Sequence, residues 1–241
     1  MALAATVGLQ LFERERRRSG LPDGAFDAAF LGVAGGLAGA HLVWAVEHMG
    51  RAGTFMDLLL SRGGLSWFGG FAGGLAAGLF FLRRRQLPVV RVLAAATPAL
   101  AVAHAIGRVG CFLVGDDYGI PSSLPWAVAF PEGLPPTSTP VHPTQLYEAA
   151  ALLPIAWLLL RWRRENRPDR FVLGWYLVAT GTVRFAIEFL RMREPLVGPF
   201  AVAHVFSFIA VCVGVSFLLS RPLSTTRRGD GPDAGPDRLR R

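Results

Sequence analysis

Charge is scarce in this 241-residue chain: 17% of its residues are charged, against about a quarter in a soluble domain, which argues against a water-soluble globule. Lysine is missing altogether. All 25 basic residues are arginine, so the net charge of +8 has to be read by position, and it is not the signature of a nucleic-acid binder. Cysteine occurs twice, at Cys111 and Cys212, too few and too far apart for a disulfide framework or a CxxC metal site. Redox and zinc chemistry are thereby set aside. The N-terminal stretch MALAATVGLQLF has neither the basic start nor the small-residue cleavage site of a signal peptide. No tandem repeat is present, so one membrane domain is expected.

What the chain does have is apolar sequence: 52% hydrophobic residues and a mean hydropathy of +0.39. Several uncharged stretches approach the ~20 residues that cross a bilayer. The reading is an all-α, polytopic transmembrane bundle with six spans, roughly 26 to 47, 65 to 82, 89 to 107, 144 to 161, 171 to 190 and 199 to 220. Residues 1 to 12 are too short to cross and are expected to be the cytoplasmic end of a first helix that begins outside this sequence. Residues 13 to 220 form the membrane domain. Glycines at helical spacing, Gly70, Gly74 and Gly78 with Gly32 and Gly36, would let neighbouring helices touch through their backbones.

Arginine alternates between the connections. Arg14, Arg16, Arg17 and Arg18, then Arg83, Arg84, Arg85 and Arg91, then five arginines between 161 and 170, and six in the tail make one set rich. Arg51 with Arg62, Arg108 alone, and Arg191 with Arg193 make the other set poor. By the positive-inside rule the rich connections and the C-terminus are cytoplasmic, and the long connection 108 to 143 is extracytoplasmic. The Pro-, Gly- and charge-rich tail 221 to 241 is expected to be a disordered cytoplasmic segment.

The long connection begins GRVGCFLVGDDYG, residues 107 to 119, where four glycines among Arg108, Asp116, Asp117 and Tyr118 describe a tightly turning backbone at a membrane edge. Arg108 has two readings. Its planar guanidinium can clamp a phosphate bidentately, or it can snorkel to the lipid headgroups as span-end arginines do. The connection ends in HPTQLYEA, residues 142 to 149, which opens a helix at Pro143 with His142, Gln145 and Glu148 on one face. Glu148 is favoured near a helix N-terminus whether or not it has a chemical task. Farther on, Arg184, Glu188 and Arg191 fall on one helical stripe. Each such charge near the bilayer centre costs about 2.5 to 3.5 kcal/mol on insertion scales. They form either an ion pair locking two helices or a polar chamber for an anionic headgroup. His41, His104 and Cys212 read as core, although His104 and Arg108 are four apart on one face.

These segments, GRVGCFLVGDDYG, HPTQLYEA and VRFAIEFLR, preceded by GGLSWFGGFAGG, resemble the bacterial prolipoprotein diacylglyceryl transferase family over about residues 13 to 220. The resemblance implies a seven-helix membrane body in the inner membrane, its site open to the periplasm and laterally to lipid. It implies transfer of a diacylglyceryl group from phosphatidylglycerol to the lipobox cysteine of a preprolipoprotein, forming a thioether and releasing glycerol phosphate. Neither cofactor nor metal is called for; the partners are phosphatidylglycerol, lipobox peptides and the bilayer. By the same resemblance Arg108 holds the phosphatidylglycerol headgroup and Arg184 is a second essential arginine, while Asp116 and Gly119 match the family's acidic residue and glycine. Candidates for taking the thiol's proton are Glu148, Asp116, His142 and Glu188, and the residues alone do not choose among them. Tyr118, Gln145, Tyr147, Glu188 and Arg191 complete the expected substrate-binding set. The chain departs from the family pattern at Phe68, where a histidine or tyrosine is usual, at Cys111 in place of asparagine, and at His41 in the second span. A catalytically altered paralogue that binds anionic lipid or a lipidated peptide without transfer is the alternative. A channel is disfavoured by the lack of repeated broken spans.

Overall fold

The computed structural model describes residues 2–49, 56–57, 64–192 and 200–220. The tail 221 to 241, together with Arg51, Arg62 and Arg193, lies outside the described residues. Seven helices are seen among those described: α1 (Ala2–Arg18), α2 (Gly24–Glu47), α3 (Trp67–Arg84), α4 (Val89–Val114), α5 (Thr144–Arg164), α6 (Asp169–Glu188) and α7 (Val202–Leu219). Between α4 and α5 lies a small antiparallel sheet of β1 (Val128–Phe130) and β2 (Thr137–Val141), with Val128 opposite Val141. Helices α2, α4 and α7 are long and apolar enough to cross a membrane. Large apolar side chains such as Phe30, Phe71, Trp157 and Phe208 are exposed on the bundle, as befits a surface that faces lipid. The chain is an all-α, multi-pass membrane protein.

Two helices run farther than the apolar pattern predicts. Helix α1 continues through Arg18 because Glu13 pairs with Arg16 at 2.6 Å and Arg17 at 2.5 Å, one turn on, so polar residues extend the apolar start. Helix α4 runs on to Val114, so Gly107, Arg108 and Gly110 are helical, and the tight turn expected from them is confined to the residues after the helix. Gly115, at φ 73°, ends α4: its N–H donates to the Cys111 carbonyl at 2.9 Å, and the Asp116 N–H donates to the same oxygen at 3.1 Å.

Helix α4 is the spine. Its alanines are the buried contact points: Ala95 and Ala99 meet Phe12, Leu21, Ala28 and Leu82 from α1 to α3, whereas Ala101 meets Ala156, Leu159 and Val172 from α5 and α6. Small side chains allow so many helices to surround one. The 17 helical steps from Arg91 to Arg108 span about 25 Å along the axis. At the Arg91 end, a polar clasp joins the α1–α2 turn to the α5–α6 turn. Arg163 donates to Asp169 and to Ser19 Oγ, both at 2.6 Å, and Arg91 donates to the Ser19 carbonyl at 2.5 Å. At the Arg108 end lies the structured connection 115 to 143.

Helices α2 and α3 meet at a glycine seam, but the closest approach is not at the glycines that the spacing singles out. A Cβ on Gly69 would sit 2.2 Å from the Gly39 carbonyl oxygen, and one on Gly73 would sit 2.4 Å from that of Gly35. These contacts are backbone on backbone and cannot yield. A crevice of about 360 Å³ among α1 to α4 is lined wholly by apolar residues, Phe12, Leu75 and Leu100 among them, and holds no group able to do chemistry. Gly73→Val is expected to force α2 and α3 apart and destabilise the bundle by about 1 to 3 kcal/mol. Gly107→Ala, where nothing lies within 4 Å of the added carbon, should leave thermal stability in detergent unchanged or raised by up to about 1 kcal/mol.

Candidate active site

The site is assembled by three helix ends and the connection that ties them. Past Gly115, Asp117 takes a left-handed backbone (φ 60°), which reverses the chain and brings its carboxylate back to α4, where Arg108 Nη1 donates to Asp117 Oδ2 at 3.1 Å. Two residues at the start of α5 hold this turn: Thr144 Oγ1 donates to the Asp117 carbonyl at 3.1 Å and Gln145 Nε2 to the Asp116 carbonyl at 2.6 Å. Gly119 then passes between α5 and the end of α6. Its N–H donates to the His142 carbonyl at 2.9 Å, and a Cβ there would lie 2.4 Å from the Leu190 carbonyl oxygen. No other residue fits that crossing.

One turn into α5, Glu148 is only 2% exposed and serves as the common counter-ion. Its Oε2 is 2.8 Å from Arg108 Nε and 3.6 Å from Arg184 Nη1, and its Oε1 is 3.2 Å from His104 Nε2. Arg184 Nη2 also meets Glu188 Oε2 at 2.7 Å, one turn on in α6, as the stripe spacing predicts. Arg191 joins Asp117 to Glu188, the latter at 3.8 Å. Three guanidiniums therefore face three carboxylates. The balance matters because an isolated charge withdrawn from water is costly unless paired. Glu148 and Glu188 are enclosed, whereas the Asp117 side chain is 38% exposed and is the accessible carboxylate of the set.

The structure thus brings Arg108, Arg184, Glu148, Glu188 and Arg191 together. Gln145 at the start of α5 and Gly119 in the connection support them; Gln145 Oε1 is buried and has no hydrogen-bond partner among the described residues. His142 and Tyr147 stand in a separate group, with His142 Nδ1 3.3 Å from the Tyr147 hydroxyl, which accepts from Trp126 Nε1 at 2.7 Å. Tyr118 is buried in the connection, stacked on Phe130, its hydroxyl donating to the Pro135 carbonyl at 2.6 Å. Asp116 makes no ion pair with either arginine. Its carboxylate, the Cys111 sulfur and the Asp117 carboxylate lie within 4.8 Å of one another, a group that could take a cation, although Asp117 already serves two guanidiniums. Phe68 packs on Phe206 of α7, the ring centroids 5.6 Å apart.

Two members of the network, Asp117 and His104, fall outside the residues selected from the sequence. Asp117 is hidden by its twin Asp116, and only the left-handed turn decides which of them reaches Arg108. His104 carried a signal in its spacing of four from Arg108, but its partner Glu148 lies on another helix.

The fold and site together define a multi-pass helical membrane protein with a buried, charge-balanced arginine cluster at one end of the bundle. The chain belongs to the prolipoprotein diacylglyceryl transferase family, whose model matches residues 1–220. Similar proteins include the phosphatidylglycerol–prolipoprotein diacylglyceryl transferases of Pseudomonas putida, 30% identical over 88% of this chain and 79% of that protein, and of Clostridium tetani, 28% identical over 88% and 86%. That of Synechococcus elongatus is 32% identical over 89% of this chain and 79% of its own length.

Because Glu148 neutralises groups from α4 and α6 at once, Glu148→Ala should destabilise the bundle by about 3 to 5 kcal/mol, as expected when one partner of a buried ion pair is removed. Thermal unfolding in detergent measures this. Glu148→Gln, which keeps an acceptor oxygen, should cost less.

Proposed function

We propose that this chain transfers the diacylglyceryl group of phosphatidylglycerol to the lipobox cysteine of a preprolipoprotein, at the periplasmic side of the bacterial inner membrane. The observation that carries the reading is the sharing of Glu148 Oε2 by Arg108 and Arg184. Two guanidiniums on one carboxylate oxygen lie within reach of one phosphate. In the reaction, sulfur attacks the glycerol carbon that bears the phosphate ester. The C–S bond forms, the C–O bond breaks, and its electron pair stays on the phosphate oxygen of the departing glycerol phosphate. Charge on that phosphate grows through the transition state, where preorganised guanidiniums stabilise it most.

Each remaining residue has a part in this proposal. The headgroup phosphate exchanges for the accessible carboxylate of Asp117, while Glu148 and Glu188 stay as fixed counter-ions that keep Arg108, Arg184 and Arg191 aimed. Gln145, with its free buried acceptor, suits a headgroup hydroxyl. Gly107 and Gly110, beside Arg108, have nothing within 4 Å of where a Cβ would be, leaving bare backbone for a headgroup to approach. His142, Tyr147 and Tyr118 shape the connection over the site, and Gly119 holds it in place. Asp116 belongs to the same connection, beside Cys111.

The orientation follows from charge. The arginine-rich turns, and with them the end of α7 and the tail, lie at the cytoplasmic side; the connection 115 to 143 and the ionic site lie at the periplasmic side. Residues 13 to 220 are the transferase domain, and residues 2 to 12 belong to its first helix, α1. A lipobox peptide reaches the site laterally from the bilayer.

Purified protein in phosphatidylglycerol vesicles should convert a lipobox peptide to its thioether; a wild-type protein that binds the lipid and never modifies the peptide would overturn the assignment in favour of a lipid-binding paralogue. Arg108→Lys keeps the charge but loses the bidentate fork and should lower transfer by about 100-fold or more. Near-wild-type transfer by that variant would mean that Arg108 only anchors the span. Asp117→Asn should lower KM for phosphatidylglycerol several-fold, because the internal competitor for Arg108 is gone.

A further inference from the structure

We propose that His104 is the group that takes the proton from the acceptor thiol. This rests on the transferase reading above. The thiolate is the nucleophile in any displacement by cysteine, so a thiol acceptor must pass its proton to the enzyme. The carboxylates of the network are poorly suited. Glu148 and Glu188 are 2% and 3% exposed and committed to guanidiniums, and Asp117 is paired with Arg108 and Arg191. Asp116 and His142 make no ion pair or hydrogen bond with either arginine of the proposed headgroup site; His142 is engaged with Tyr147 instead. Phe68 has no proton-accepting atom.

His104 differs on each count. It lies one turn before Arg108 on the same face of α4, so imidazole and guanidinium point to one region. Its Nε2 is 3.2 Å from Glu148 Oε1, while the other oxygen of that carboxylate holds Arg108 and Arg184. A carboxylate against one ring nitrogen holds the proton there, leaves the lone pair on the other, and stabilises the imidazolium once it forms. Nδ1 has no hydrogen-bond partner among the described residues, and the side chain is 40% exposed, so a substrate can reach it. The charged groups gathered around the ring are Glu148 from α5, Arg108 from its own helix, and Arg184 of α6 across the shared carboxylate.

The step balances without any further reactant. The thiol proton moves to His104 Nδ1; the sulfur lone pair forms the C–S bond; the C–O electron pair leaves with the phosphate oxygen. The imidazolium then gives its proton to the glycerol phosphate or to water. The same Glu148 carboxylate therefore aims the group that opens the reaction and the groups that bind its leaving charge.

The test uses the full chain in phosphatidylglycerol vesicles with a lipobox peptide. In His104→Gln the side-chain amide can still donate to Glu148 but cannot take the proton. The expected result is a fall in kcat of about 100-fold at neutral pH, in line with general-base contributions, with lipid binding within twofold of wild type. The deficit should shrink at least tenfold at about pH 9.5, where a free thiol of pKa about 8.5 ionises unaided. A kcat loss of less than tenfold, or a loss of equal size at both pH values, overturns the proposal. Should the variant not fold, wild-type protein decides. The acidic limb of its kcat/KM profile with a cysteine peptide should disappear with a selenocysteine peptide, whose selenol is already ionised, and persistence of that limb overturns the assignment. A wild type that modifies no peptide removes the transferase reading and this inference together. An active wild type with an unimpaired His104→Gln removes this inference alone.

Discussion

One carboxylate organises the site. Glu148 sits at the start of a helix, almost wholly enclosed, and its two oxygens meet side chains from two other helices. In such an environment an unpaired charge is prohibitive, so the position of Glu148 obliges α4 and α6 to bring their arginines to α5. The arginines repel one another and could not gather without it. What is bound as a counter-ion in the resting protein is thus also what keeps two guanidiniums aimed at a single point.

The fold serves that constraint. Alanine-rich α4 is narrow enough to be packed on several sides, and it carries His104 and Arg108 to the site while its other end is anchored in the clasp around Ser19 and Arg163. The connection after α4 is not a slack loop: it is capped at Gly115, turned at Asp117, threaded past Leu190 at Gly119 and stiffened by a short sheet. Each device shortens the path by which a residue just outside the helix returns to the helix end. Arginines at the far end do two jobs. Arg16 and Arg163 are buried and hold the turns together, so the arginine bias of this end is partly built from structural residues.

Much of the architecture is legible in the residues. Apolar runs of spanning length locate six helices, since hydrophobic length is a direct requirement of the bilayer. Their ends are less legible. Helix α1 runs through Arg18 on the strength of ion pairs, and α4 runs through a glycine-rich segment that reads locally as a turn. Among site residues, the Arg184–Glu188 pair is visible because both partners lie on one helix at a spacing of four. The glycine seam is only half visible: spacing marks the right helices, but which glycines touch depends on how far one helix slides along the other.

The sequence by itself determined that this is a membrane bundle, which of its ends carries the arginine-rich turns, and that three arginines and several carboxylates are spent where charge is expensive. Periodicity, length and composition are local properties, and those conclusions need nothing more. The tertiary structure decided the partners: that Glu148 rather than Asp116 joins the two arginines, that Asp117 turns inward while Asp116 lies beside Cys111, and that His104 is part of the network. The ion pairs among them join residues 9 to 74 positions apart in the chain. Only helix packing and one left-handed residue in a turn bring them within a few ångströms.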